Sequence, residues 1–277
     1  MLTMVLPDGR RAMRKRAAAR KRVSIVGVIG ELLITGGVIV LLFLGWELWF
    51  NDLIVGQQLN EKGDELSQQW SGGFVEPSKP EAERPDPGEP VVAAEPSEIA
   101  TEFATMIVPR FGSDYNKPIA QGVTLEDVLN PIGIGHYPGT AMPGGIGNAA
   151  FAAHRTTWGA PFGPIADLRV GDSIYIETPD GWYLYKFHNF EYVLPTGVGV
   201  VEPVPQLPGV EPSERYLTMT SCNPLYSAAE RIVAYAVYET WYPRDQGAPE
   251  EIAGMYSADG PSTDSVVLAG GVPKGVH

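Results

Sequence analysis

The segment SIYIETPDGWYLYKFHNFEYV, residues 173–193, decides the fold class. In SIYIET (173–178), Ile174 and Ile176 alternate with Ser173, Tyr175 and Glu177, the period-two pattern of a strand with one apolar face. WYLYKFHNFEYV (182–193) keeps that period and is rich in aromatics, which favour pleated structure. Between them, Thr178-Pro179-Asp180-Gly181 carries the turn chemistry of a hairpin. Outward from this hairpin, ATMIVPR (104–110), RYLTMTSC (215–222) and RIVAYAVYETWY (231–242) read as further strands. Helix signals are sparse. Thr124 with Asp127 reads as an N-cap and its N3 partner, opening a short helix through Leu129 that stops before Pro131. Short strands separated by Gly/Pro turns predict an all-β domain, a closed or nearly closed barrel.

The chain has 277 residues, 44% of them hydrophobic, enough for one or two domains with a real core. Twenty Lys and Arg stand against 33 Asp and Glu, a net charge of −13. That balance argues against nucleic acid as a partner, because a polyanion needs clustered positive charge. A single cysteine excludes an intramolecular disulfide framework and any multi-cysteine zinc site.

Charge is distributed unevenly. Arg10, Arg11, Arg14, Lys15, Arg16, Arg20, Lys21 and Arg22 crowd the amino terminus, and an apolar run follows from Val23 to Phe50, broken only by Glu31 and Glu47. A helix needs roughly 20 apolar residues to cross a bilayer, and basic flanking residues hold their end in the cytoplasm. Residues 23–50 are therefore expected to be a signal anchor, with Trp46, Trp49 and Phe50 at the outer interface and the rest of the chain exported. A cleaved signal peptide is the weaker reading. The run exceeds the roughly 7–15 residues of an h-region, and no A-x-A-like site follows it. Residues 75–98 hold six Pro and seven Asp or Glu, the composition of an extended spacer. The expected organisation is a basic cytoplasmic tail (1–22), the anchor (23–50), a stalk and Pro/Glu-rich linker (51–98) whose first part, 51–74, reads as a short polar helix or a stalk, a folded catalytic domain (99–245) and a flexible tail (246–277).

Cys222 is the chemical centre. A lone cysteine is commonly a small buried hydrophobe. This one ends a strand, and Asn223-Pro224 after it stops strand pairing, which places it at a barrel rim. Arg231 opens the next strand nine residues on, so both side chains reach one rim, where a guanidinium favours thiolate and can hold an oxyanion. A thiol nucleophile also needs an acid for a leaving amine. Among the four histidines, His277 is the last residue, while His188 in the aromatic strand and His136 beside a turn read as structural. His154 ends the apolar run 148–153 and is the strongest candidate.

The segment GHYPGTAMPGGIGNAAFAAHRTTWGAPFGPIADLRVGDSIYIET (135–178) resembles the histidine-bearing region of sortases. YLTMTSCNP (216–224) resembles the sortase T-L-x-T-C signature with its following proline, and Arg231 in SAAERIVAYA matches the arginine that opens the next strand. The resemblance spans about 104–243 and is greatest to the class E housekeeping sortases of high-GC Gram-positive bacteria, with class D as neighbour. One departure is Ser221, where the family usually has Thr. The resemblance implies a closed eight-stranded sortase-type β-barrel with short helices and a preceding transmembrane helix. It also implies a cysteine transpeptidase that needs no metal, nucleotide or other cofactor. Cys222 would attack the Thr–Gly carbonyl of an LPXTG- or LAXTG-type sorting signal, His154 would protonate the departing amine, and Arg231 would hold the backbone or oxyanion. Partners implied are sorting-signal-bearing exported proteins and a lipid-linked peptidoglycan amine. Tyr137, Ser221 and Asn223 are candidate substrate contacts.

Other readings are weaker. Pilin assembly lacks support, since there is no second apolar stretch and Asp86-Pro87 is followed by Gly88 instead of an aromatic lid residue. An L,D-transpeptidase also uses Cys and His, but Thr220-Ser221-Cys222 does not supply its S-x-G-C signature. A non-catalytic wall adaptor would not need all three residue types in order.

Overall fold

The 173–193 segment folds as the expected antiparallel hairpin of β5 (Ser173–Thr178) and β6 (Gly181–Val193), with Thr178 paired to Gly181 across the turn. The structure is a computed structural model that describes residues 24–46, 50–71 and 80–256. The basic segment 1–22, Glu47, Trp49, residues 72–79 and the tail from 257 lie outside the described residues. Two units are distinguished, Met1–Gly45 and Trp46–His277. In the first, helix α1 (Ile25–Gly45) has 21 residues, a mean hydropathy of 2.5 over its most apolar window, and no buried residue, so it is long and apolar enough to cross a membrane.

The second unit is a barrel. Its remaining strands are β1 (Glu102–Ile107), β2 (Asn116–Gln121), β3 (Ile134–His136), β4 (Gly147–Ala153), β7 (Arg215–Asn223) and β8 (Glu230–Pro243). They close in the order β1-β2-β3-β4-β7-β8-β6-β5, the eight-stranded closed barrel implied above. Alternation decides what fills it. Phe151 of β4, Tyr183, Tyr185 and Phe187 of β6, Leu217 and Met219 of β7, and Ile232 and Ala234 of β8 point inward and are buried together.

The opposite parity of β6 is also apolar. Trp182 and Leu184 face outward, and Ala248, Ile252, Met255 and Tyr256 pack on them. The chain is therefore folded past Gln246, through a short helical segment at Glu250–Tyr256, where a flexible tail is expected from sequence. An aromatic strand with two apolar faces requires such a cover.

The described parts of 51–98, residues 51–71 and 80–98, also differ from a free stalk and spacer. Helix α2 (Asn51–Ser71) buries Leu59, Gly63 and Ser67, spaced by four along one face, against β2. A Cβ on Gly63 would stand 2.3 Å from the Asn116 carbonyl oxygen, so only glycine permits this approach. Asn116 donates its backbone N–H to Asn60 Oδ1 (3.3 Å) and its side-chain amide to Asp64 (2.9 Å) and Ser67 (3.1 Å). Farther on, the Pro/Glu-rich segment is strapped to the barrel. Trp241 Nε1 donates to the Gly88 carbonyl (3.1 Å), Tyr183 to Val91 (2.5 Å), and Gln121 Nε2 to the Glu95 carboxylate (2.6 Å). A Pro-rich extended chain leaves its carbonyls free for donors from another element, so it can be held without a core of its own.

Between β2 and β3, residues 125–129 form one wide turn closed by Leu129 N–H to the Thr124 carbonyl (2.9 Å). The Thr124 hydroxyl donates to Asp127 (3.2 Å) and does not cap the turn's backbone, in contrast to the expected N-cap.

Lys117 on β2 is 4% exposed, and its ammonium donates to the Gly56 carbonyl. Burial lowers its pKa to about 8, with Asp114 and Asp64 opposing. Between that value and the ordinary 10.5 the unfolded chain binds more protons, so stability rises with pH across this window. Lys117→Met is expected to leave the barrel at pH 7 unchanged or up to about 2 kcal/mol more stable, and to flatten stability between pH 8 and 10.5. Denaturant melts at pH 7 and 9.5 check this.

Candidate active site

Three neighbouring strands end together. Cys222 is the penultimate residue of β7, Arg231 the second of β8, and the two are direct partners in the antiparallel register. On its other side β7 runs parallel to β4, with Ala152 paired to Thr220. Continued for two residues past that last pair, the same register brings His154 level with Cys222. The Ser221 hydroxyl donates to the Ala153 carbonyl (2.8 Å), which fixes this alignment at the strand ends. Adjacent strands lie about 4.8 Å apart, so the three backbones are neighbours.

Parity places the three side chains on one face. Ala153, Ser221 and Ile232 belong to the inward set or to its parity, and Ala153 and Ile232 are buried in the core. Cys222 follows Thr218 and Thr220, Arg231 precedes Val233, and His154 follows Ala150 and Ala152, all on the outer face. The outer face of β4, β7 and β8 is thus the floor of the candidate site. Val128, Leu129 and Ile132 pack with Ala152 and Tyr137 to form one wall. On the other side, Asn148 donates to the carbonyls of Val200 (3.1 Å) and Glu202 (3.0 Å), which holds the β6–β7 connection against the β4 side of the floor.

His154 is half-buried, and its Nε2 lies 2.8 Å from Asn130 Oδ1. An amide oxygen accepts, so Nε2 carries the proton in this contact and Nδ1 is the ring nitrogen not engaged by Asn130. Burial pushes the imidazole pKa down, and the Asp52 charge opposes that shift. Cys222 is partly exposed and is the only cysteine in the chain. Arg231 Nη1 donates to the carbonyls of Ala228 (3.1 Å) and Glu230 (2.9 Å), so its guanidinium is oriented by the β7–β8 connection.

The candidate substrate contacts separate. Tyr137 is half-buried on the outer face, its hydroxyl 3.0 Å from Thr220 Oγ1. Ser221 is 3% exposed with its hydroxyl on Ala153, so it ties β7 to β4 and does not face the floor. Asn223 accepts from Arg155 Nη1 (2.5 Å) and donates to Glu230 (3.0 Å), linking strand ends. His136 is fully buried and bonded to Gln121, Ala141 and Thr140, a structural position, while His188 is exposed on β6.

Asn130 and Arg155 were not evident from sequence. Arg155 Nη1 also donates to the Cys222 carbonyl (3.3 Å) and so fixes the strand end that carries the thiol. Their partners lie 24 and 67 residues away, so only the fold unites them.

Among known proteins, the Sortase domain family model matches residues 106–239. The curated Streptomyces coelicolor sortase SrtE1 is 33% identical over 255 residues, which cover 89% of this chain and 67% of that protein. The chain belongs to the sortase family. Solved sortases agree. The SrtA sortase from Actinomyces oris superposes with a TM-score of 0.56 at 33% identity, covering 60% of this sortase and 94% of that chain. Sortase E1 from Streptomyces coelicolor, solved with a tripeptide in the active site, gives 0.51 at 34% identity, covering 55% and 97%. These relatives place this sortase with class E. Sortases are transpeptidases, and the family's general substrates are sorting signals and cell-wall amines.

Proposed function

We propose that this chain is a membrane-anchored class E sortase that cleaves an LPXTG- or LAXTG-type sorting signal between Thr and Gly and transfers the Thr carbonyl to a cell-wall amine. The single observation that carries the reading is the direct pairing of Cys222 with Arg231 beside the parallel register of β4 with β7, which, continued past Ala152 and Thr220, brings His154 next to Cys222. Helix α1, preceded by eight basic residues, supports an anchor whose amino terminus is cytoplasmic and whose barrel lies outside. Tethering enzyme, sorted protein and lipid-linked acceptor to one membrane raises their effective concentration. Residues 46–256 act as the catalytic unit.

In the first half-reaction the Cys222 thiolate attacks the Thr carbonyl carbon. Arg231 stabilises the oxyanion or the adjoining substrate backbone. As the C–N bond breaks, His154 imidazolium delivers its Nδ1 proton to the glycine amine, and a thioester to Sγ remains. In the second, an acceptor amine attacks the thioester, gives its proton to His154, and the C–S bond breaks to return the thiolate. Tyr137 lines the groove beside Thr220.

The test is incubation of the full chain with LPXTG and LAXTG peptides and a peptidyl amine. A product with the amine joined at Thr is expected. Cleavage of tetrapeptide stems but of neither sorting peptide would overturn the reading. Arg231→Lys is expected to lower kcat/KM roughly 10²-fold, because an ammonium cannot hold the two loop carbonyls and substrate with one planar fork. Steady-state kinetics on the same peptides check this.

A further inference from the structure

We propose that Asp52, in the first turn of α2, is a positioning residue for His154: it clamps the loop that follows the histidine and so couples the juxtamembrane helix to proton transfer. This rests on the reading of His154 as the acid.

The loop is unusual. Thr157, Trp158, Gly159 and Ala160 all have positive φ, at 66°, 52°, 75° and 41°. Three of these are not glycine, and one is β-branched, so the local conformation is unfavourable without external support. The base of the loop is closed by Phe162 N–H to the His154 carbonyl (2.9 Å), so its shape bears directly on where the histidine sits. At its tip, Asp52 accepts from Thr157 N–H through Oδ2 (2.8 Å) and from Gly159 N–H through Oδ1 (3.3 Å). Both carboxylate oxygens are thus engaged by the strained segment.

The approach of helix and loop is close. A Cβ on Gly159 would stand 2.8 Å from Gly56 N, so the contact tolerates only glycine there. Lys117 ties Gly56 to β2, and the Tyr115 hydroxyl donates to the Pro161 carbonyl (2.8 Å), which anchors helix and loop to the same part of the barrel. The Asp52 charge also acts on the His154 imidazole and favours its protonated form. A stalk would need none of this. The arrangement makes the first turn of α2 part of the catalytic apparatus, and a barrel lacking that turn keeps Cys222 and Arg231 but loses the support for His154.

The test uses the full chain in detergent and two substrates. One is the sorting peptide with its Thr–Gly amide. The other is the same peptide as an activated thiophenyl ester, whose leaving group needs no proton. Read as single-turnover acylation of Cys222, which precedes any acceptor step, Asp52→Ala is expected to slow acylation by the amide about tenfold with KM within twofold, and to change acylation by the ester less than twofold. Asp52→Asn, which keeps shape and one acceptor oxygen, is expected to fall between, and serves if the alanine variant folds poorly. Amide exchange at 155–160 is expected to accelerate at least tenfold in Asp52→Ala. Equal losses on amide and ester, or wild-type turnover of Asp52→Ala, would overturn the proposal while leaving the role of His154 intact. Full activity of His154→Ala on the amide would instead overturn the reading on which it rests.

Discussion

Cys222→Ala is expected to bring transpeptidation to background, a loss of at least about 10⁴-fold in kcat, with the melting temperature close to that of the parent. The two halves of this expectation have separate grounds. The chemistry fails because the chain has no other thiol and an alanine offers no nucleophile. The fold survives because Cys222 lies on the outer face at the end of β7, outside the packed interior, and alanine is slightly smaller in a partly exposed position. The hydrogen bonds that hold this strand end come from neighbours. Ser221 reaches Ala153, Arg155 reaches the Cys222 carbonyl, and Asn223 reaches Glu230, and alanine disturbs none of them. Peptide turnover together with thermal melting checks both halves. Measurable turnover above background in a folded Cys222→Ala protein would remove the thiol from the mechanism.

The second large effect concerns stability. Glu177 on β5 is fully buried, and it joins parts of the chain far apart in sequence. Its carboxylate accepts from Arg244 Nη1 (2.8 Å), from the Ser67 hydroxyl of α2 (2.6 Å) and from the Tyr256 hydroxyl of the terminal segment (2.6 Å). Arg244 further donates to the Thr178 carbonyl and stacks over Trp182 at 4.2 Å. Glu177→Ala would leave a mostly buried guanidinium without its counter-charge and the Ser67, Tyr256 and Thr105 hydroxyls without their acceptor. The expected cost is about 3–5 kcal/mol, or a fall in melting temperature on the order of 10 °C for a unit of this size. Glu177→Gln keeps acceptor capacity and is expected to cost less. Because the carboxylate holds both α2 and the terminal segment, their amides are expected to exchange faster in Glu177→Ala than those of the barrel strands. Thermal melts with hydrogen exchange read both effects, and a melting temperature within 2 °C or so of the parent would show that the pair contributes little.

The sequence reveals some of these elements and hides others for physical reasons. β5, β6 and β7 carry period-two patterns, and β8 is a long run of aromatic and β-branched residues, so each is visible in the sequence. β2 is not. NKPIAQ has no alternation of apolar and polar residue types, and it contains a proline and a lysine that would argue against a central strand. Its lysine is accommodated only because α2 offers the Gly56 carbonyl. β3 has three residues, too few to carry a period. The terminal segment was hidden by its own composition, although the two apolar faces of Trp182–Tyr185 required a cover.

The candidate site divides in the same way. Cys222 and Arg231 are close in sequence and flank one connection, so strand ends alone bring them to one rim. His154 is 68 residues from Cys222 in the chain, and only the parallel pairing of β4 with β7 makes it a neighbour. Family resemblance supplied that link at the sequence level, where residue pattern alone left His154 a candidate. The residues that orient the three, Asn130, Arg155 and Asp52, sit in loops or in a helix read as a stalk, and carry no motif of their own. Ser221 shows the converse. Adjacency to a nucleophile suggests substrate contact, but alternation turns its side chain to the other face of the strand.

The most direct test of the account is to trap the acyl-enzyme. The full chain is mixed with a sorting-signal peptide in the absence of an acceptor amine, quenched in acid, digested and mapped by mass spectrometry. The account predicts a mass increase equal to the peptide acylated through its Thr carbonyl, confined to the fragment bearing Cys222 and removed by hydroxylamine. Continued release of the glycine-side product with Cys222 unmodified, or with the acyl group on another residue, would contradict it.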